Sequence, residues 1–341
     1  MSEHRARPAE GHRSTLVTIV VALAANLVIA VAKAVAGLIA SSPAMLSEAA
    51  HSVADSLNEV FLIASLRRSK RAPDREHPFG YGKERFFWSL LAAVGIFVTG
   101  GCFSFFQGLQ AWRHSEAETH TGYLVSFAVL GFSLLAESTS LARALFQAPE
   151  VRTGQGLSSL LRAAGDPAVR TVLAEDATAL AGVLLAAAGL GLHALTGDSR
   201  WEAGASLAIG LLLVFVAYRL GRQAEHELIG QAADPHLQGE LRAFLHREAD
   251  VDTVAELLTM QLGPDSTLLA ARLDIHPGRD SEEVEEICMR IREAMRKRWP
   301  QLDHVFLDIT DASPEQRSRA EGELKRLPGG LTRPSSTSEV R

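Results

Sequence analysis

The string HSVADSLNE at 51–59 sits inside a stretch whose hydropathy otherwise suits a membrane-spanning helix. His51 and Asp55 are four residues apart, so a helix places both on one face, and Asn58, seven residues after His51, shares it. Polar and ionisable groups at bilayer depth are costly, and they mark ion pathways or buried pairs. An imidazole and a carboxylate on one helical face make half of a divalent-metal site. The competing reading is a helix cap at a membrane interface, or a polar patch that holds helices together.

A second cluster lies in a later apolar stretch, VLAEDATALAG, where Glu175 and Asp176 are adjacent. Two neighbouring carboxylates cannot both face lipid cheaply, so at least one is expected to face a bundle interior. Local capping by Asp176 and Thr178 is the alternative. Four further polar residues stand in apolar stretches: Asn26 and Lys33, seven apart on one face, then Glu59 and Glu137. A buried lysine needs a carboxylate, which pairs Lys33 with one of these acids. For Lys33 and Glu59, snorkelling to an interface is an equal alternative.

The elements that must position these groups follow from hydropathy. The 341 residues are 47% hydrophobic and 22% charged, an average over an apolar half and a polar half. Six spans are expected, near 16–38, 44–66, 86–109, 123–145, 169–195 and 203–220. The turn Ser41-Ser42-Pro43 makes the first two a helical hairpin. The first apolar run is too long for a signal peptide and lacks a convincing cleavage site, so it reads as a retained span. The loop between spans two and three carries Arg67, Arg68, Lys70, Arg71, Arg75, Lys83 and Arg85. The loop between spans four and five carries Arg143, Arg152, Arg162 and Arg170. Basic loops stay in the cytoplasm, which with six spans puts both termini there too. A net charge of −6 gives no sign of a nucleic-acid partner, and two cysteines, Cys102 and Cys288, make neither a disulfide framework nor a thiolate metal site.

Beyond about Gly221 the chain turns polar. Helical periodicity at 236–248 and 282–298, with strands at 254–262, 268–275 and 304–309, gives the order helix–strand–strand–helix–strand, a small α+β layer. The stretch 313–341, rich in Ser, Pro, Gly and charge, is expected to be disordered.

Six spans, HSVAD in the second, an Asp-bearing fifth span, HPFGYGKERFFW at 77–88, ELIGQAADP at 227–235 and the terminal α+β order together resemble the cation diffusion facilitators over about 15–311. The resemblance implies export of a divalent metal, most often zinc, in exchange for protons, by a homodimer docked through its cytosolic domain. The fold class expected is an α-helical membrane protein with six transmembrane helices plus a C-terminal α+β ferredoxin-like (αββαβ) cytosolic domain. The divisions are a cytosolic tail at 1–14, a transmembrane domain at 15–222, an αββαβ dimerisation domain at 223–312 and a disordered tail at 313–341.

The family's transport site takes two ligands spaced i, i+4 from each of spans two and five. His51 and Asp55 match the first pair, and Asp176 matches the second member of the other. The remaining position falls on Val172, which binds no metal. Glu175 is a candidate fourth ligand, about 100° around the helix from Asp176; Glu137, Asn58 or water are the others. The Glu-Asp pair in span five resembles a distinct branch of the family. In many members the cytosolic domain binds zinc through strand histidines, but the strands here read AELLTM, ARLDI and VFLDI, with Arg272 and Asp308 near two of the expected places.

The expected metal set is therefore His51, Asp55, Asp176 and Glu175, supported by Asn58, Glu137, Asn26 and Lys33. No permanently bound cofactor is expected; Zn²⁺ or another divalent cation is substrate. The expected partners are the metal ion, protons, membrane lipid and a second copy of the chain. The expected location is a plasma or inner bacterial membrane. A Mn-, Fe- or Co-selective member, a non-transporting metal-responsive membrane subunit, and a uniporter remain alternatives. An embedded metalloprotease does not fit, because no span carries HExxH.

Overall fold

The computed structural model describes residues 8–113, 120–147 and 167–326. Side chains at 8–19, 21–22, 120–121, 143–147, 167–174 and 324–326 lie outside the description. So do Arg152, Arg162 and the tail at 327–341.

The apolar half is helical. Its elements are α1 (Pro8–Ala40), α2 (Pro43–Arg68), α3 (Glu84–Gly95), a π-helical segment (Ile96–Cys102), α4 (Phe103–Arg113), α5 (His120–Gln147), α6 (Pro167–Thr196) and α7 (Arg200–Ile229). Five apolar lengths cross-membrane in size occur among the described residues: Leu23–Ala40, Glu84–Arg113, Gly122–Ala142, Glu175–Thr196 and Arg200–Ile229. The second expected span, α2, is long enough at 26 residues. It carries Glu48, Asp55 and Glu59 in its interior, which sets it apart from the five.

Packing in this unit reverses the soluble pattern. Large apolar side chains such as Val28, Leu38, Leu124, Leu135, Leu211 and Phe215 are exposed, while Lys33, Glu48, His51 and Glu202 are buried. Apolar side chains on the outside suit lipid, and helices then associate through small residues. Ala36, Ala44, Ala54, Ala186 and Ala205 pack with Leu130, Leu190, Ile209 and Leu213. At Gly210 two helix backbones come close: a Cβ there would stand 2.9 Å from the Phe105 backbone nitrogen. The span is thus a multi-pass membrane unit.

The α1–α2 connection is a tight cap. Ser41 takes a left-handed φ of 52°, and the Ser42 N–H donates to the Gly37 carbonyl at 3.0 Å. That is the six-to-one bond of a Schellman turn, made here without the usual glycine.

The polar half forms a second unit, which among the described residues takes in 68–86 together with 225–326. In the loop, one Asp74 oxygen accepts the backbone N–H groups of Glu76 and His77, and the other accepts the Tyr81 hydroxyl at 2.6 Å. The Tyr81 bond comes first among the causes that hold the Asp74 carboxyl below its ordinary range. Gly82 lies flat against the β1–β2 end: a Cβ there would be 2.4 Å from the Leu262 carbonyl oxygen.

Next come α8 (Pro235–Arg247), β1 (Val251–Gly263), β2 (Ser266–Ile275), α9 (Ser281–Arg298) and β3 (His304–Ile309). Asp234 caps α8 and Asp280 caps α9 through a capping box with Glu283. The strands form a mixed sheet in the order β1-β2-β3, β1 antiparallel and β3 parallel to β2. Leu241 and Leu245 from α8, Ile291 and Met295 from α9, and Leu269 and Leu273 from β2 share one core. Glu256, Arg272 and Asp308 lie opposite one another across the three strands, with Arg272 bonded to both acids.

The expectation of disorder from 313 is corrected over α10 (Pro314–Arg326), which is helical. Ser313 and Gln316 cap it reciprocally. Arg317 anchors it to Asp252 at 3.0 Å and Asp274 at 2.7 Å. Composition favours disorder there, but capping and one well-placed guanidinium offset it.

Candidate functional site

Polar residues run along α2 as Ser47, Glu48, His51, Ser52, Asp55, Asn58 and Glu59, successive turns of one side of a helix. His51 is buried, and its Nε2 lies 3.2 Å from Asp55 Oδ2. Among the described residues its Nδ1 is buried without a hydrogen-bond partner.

From α6, Glu175 accepts a long hydrogen bond from Asn58 at 3.4 Å. Asp176 accepts one from Ser140 of α5 at 3.1 Å. Asp55 is close enough for its charge to act on Glu59, Glu175, Asp176 and Glu137. The eight candidate residues therefore surround one region of the helical unit. They do not close upon one point: among the described residues no three His, Cys, Asp or Glu side chains gather tightly enough to hold a metal ion. Ser140 and Asn58 each hold one of the α6 carboxylates. The Val172 side chain lies outside the described residues.

Lys33 pairs with an acid that sequence reading missed. Its Nζ is 2.9 Å from Glu48 Oε2 and 3.0 Å from the Ser52 hydroxyl, with Lys33 1% and Glu48 0% exposed. None of Glu59, Glu137, Glu175 or Asp176 is its salt-bridge partner, which corrects the expected pairing. The signal was present, because Glu48 is itself an ionisable residue in a span-length helix. Asn26, seven residues before Lys33, donates to Glu59 at 2.9 Å. Both residues of α1 thus tie that helix to α2.

A second buried group was also missed. At the end of the bundle that carries the 41–42 turn, Glu202 accepts the Ser42 hydroxyl and lies 2.5 Å from His193 Nδ1. Ser47 and Ser206 hydroxyls meet at 2.5 Å nearby. The loops expected at this end, 41–43, 112–121 and 196–201, hold few basic residues, and the acid and imidazole belong to helix ends.

Fold and site together define a class, a multi-pass membrane protein with ionisable side chains buried between its helices. The model of the cation efflux transmembrane domain matches residues 19–229. The chain belongs to the cation diffusion facilitator family, a family of transporters. Metal tolerance protein C4 of Arabidopsis thaliana is 34% identical over 69% of this chain and 52% of that protein. The human mitochondrial proton-coupled zinc antiporter SLC30A9 is 27% identical over 86% of this chain and 53% of that one. The manganese efflux system protein MneP of Bacillus subtilis is 24% identical over 85% of this chain and 93% of its own. The chain thus spans about half the length of the first two.

Proposed function

We propose that this protein exports a divalent metal cation, zinc first, across a membrane in exchange for protons. The observation that carries the reading is the buried His51–Asp55 pair on α2, within electrostatic reach of Glu175 and Asp176 on α6. The names of the relatives support the substrate class, one being a zinc antiporter described as proton-coupled and another a manganese efflux protein.

The chemistry follows from the donors. One imidazole nitrogen and carboxylate oxygens suit Zn²⁺ and also Mn²⁺, Fe²⁺ or Co²⁺. Metal needs the nitrogen free of its proton and the acids ionised, so metal and proton compete for the same atoms. In the geometry described, His51 Nε2 and Asp55 Oδ2 share a proton-sized gap. A cation that displaces that proton takes both atoms as ligands. Asp176 joins by leaving Ser140, and Glu175 by leaving Asn58. Alternating exposure of such a centre to two sides of the membrane gives exchange.

The architecture that goes with this reading has α2 as a sixth span, both termini in the cytoplasm of a bacterium, and a ferredoxin-like cytosolic unit. A second copy docks on that unit through the face of the sheet where Leu258, Ala270 and Phe306 align, Leu258 and Phe306 being exposed. A manganese-selective reading is favoured by one observation, the excess of oxygen donors over the single imidazole. Purified protein in liposomes with an internal pH dye separates the readings. Zn²⁺ entry coupled to proton movement supports exchange, metal entry without proton movement overturns it, and ranking Zn²⁺, Mn²⁺, Fe²⁺ and Co²⁺ decides the metal.

A further inference from the structure

We propose that His193 and Glu202 form a second, weaker divalent-cation site in a cavity at the end of the helical unit that carries the 41–42 turn. The cavity has a volume of about 210 Å³ and lies among the ends of α1, α2, α4, α6 and α7. Its polar lining includes Gln107, Gln110 and Ser199, and Leu38 and Leu46 form apolar wall. His193 and Glu202 both line it, although they are only 6% and 1% exposed.

Charge makes the case for a cation. Glu202 accepts the Ser42 hydroxyl with one oxygen and faces His193 with the other. A buried carboxylate needs a compensating positive charge. Among the described residues its charged contact is His193, with no lysine or arginine in a salt bridge to it. The imidazole in turn meets Tyr123 of α5 edge-on, ring centres 5.6 Å apart. A cation held between the ring and the carboxylate supplies that charge.

The donor set and the space select a divalent ion. Nitrogen and carboxylate oxygen are zinc ligands, and bonds of about 2.0–2.2 Å set two tetrahedral ligand atoms about 3.4 Å apart. The pair at 2.5 Å thus opens by about 1 Å, with the cavity alongside to receive the ion. Two protein ligands leave the rest of the shell to water and the glutamine side chains, so binding is weak and reversible. That is the affinity suited to an ion passing through.

The site lies apart from His51, Asp55, Glu175 and Asp176, and its test does not depend on transport. Full-length protein with Asp55→Asn and Asp176→Asn, in detergent micelles, is titrated with Zn²⁺ by calorimetry. One weak Zn²⁺ site should remain. Adding His193→Gln or Glu202→Gln should weaken that site at least about tenfold, the least that disturbing even an outer partner of a metal costs. Zn²⁺ binding that is unchanged by both substitutions, or absent before either, overturns the proposal. If Glu202→Gln elutes as aggregate on gel filtration, His193→Gln and the cavity-filling Leu46→Trp decide instead, each expected to remove the same site. A wild-type protein that moves no metal in liposomes would sink the transport reading and leave this binding difference standing.

Discussion

Breaking one member of the Lys33–Glu48 pair leaves a charge buried with nothing to balance it, because both side chains are sealed from solvent. Lys33→Gln should therefore lower stability by about 3–5 kcal/mol. The double variant Lys33→Met/Glu48→Leu should recover most of that loss, and thermal unfolding in detergent checks both. A different result is expected at the proposed transport centre, where the cost falls on activity. Asp55→Ala and Asp176→Ala should abolish flux with the fold intact, and Glu175→Gln should reduce it. Wild-type flux in Glu175→Gln would hand the fourth position to Glu137, Asn58 or water. Ser140→Ala tests the holding role of Ser140, since it frees Asp176 and should shift metal affinity without removing a ligand. At this scale the sequence was legible where spacing alone carries meaning. His51 and Asp55 are four apart, and a helix can only bring them together. It was opaque where partners come from helices distant in sequence: nothing in the string tells that Ser42 meets Glu202 160 residues away.

Helices in this unit approach through glycine, so a single methyl group tests the packing. At Gly210 an added Cβ meets backbone atoms of Phe105 and the Gly101 carbonyl, neither of which can rotate away. Gly210→Ala should cost about 1–3 kcal/mol by overpacking, read as a lower melting temperature in detergent. In the polar unit the α9 helix is held by charge. Arg290 and Arg279 bond Asp250 at 2.5 and 2.8 Å, and Arg290 leads the causes that lower its pKa. A carboxyl whose folded pKa is depressed adds stability above its ordinary value of about 3.9 and loses it as pH falls through the folded value. Wild type should thus melt above Asp250→Asn near neutral pH, and the gap should close in acid below that value. Equal melting temperatures at neutral pH would dismiss the pair. The strands and α8 and α9 stood out by period and caps. The π-helical segment at 96–102, whose Gly100 and Gly101 lie against Leu213 and Val214 of α7, did not. Nor did α10, whose anchor points Asp252 and Asp274 lie far earlier in the chain.

Orientation and assembly belong to the whole molecule. In a chain with Cys102→Ser and Cys288→Ser, a membrane-impermeant thiol reagent should label Ser199→Cys in intact cells and Ser69→Cys only after permeabilisation. The reverse pattern would overturn the loop-charge argument. Phe306→Glu, on the exposed sheet face, should convert a dimer to a monomer on gel filtration, in the presence of a chelator as well as without it. The short cap at Ser41–Ser42 reaches furthest. With α1 bonded to α2 through Lys33–Glu48 and Asn26–Glu59, the two helices are expected to move as one lever. The lever carries His51 and Asp55, whereas Glu175 and Asp176 ride on α6. On the proposed exchange reading, a shear between this lever and α6 would cut through the centre itself, and cargo would be released by drawing its ligands apart rather than by opening a door beside them. A disulfide joining positions 37 and 46 within the lever should leave flux intact, and one joining α2 to α6 should stop it.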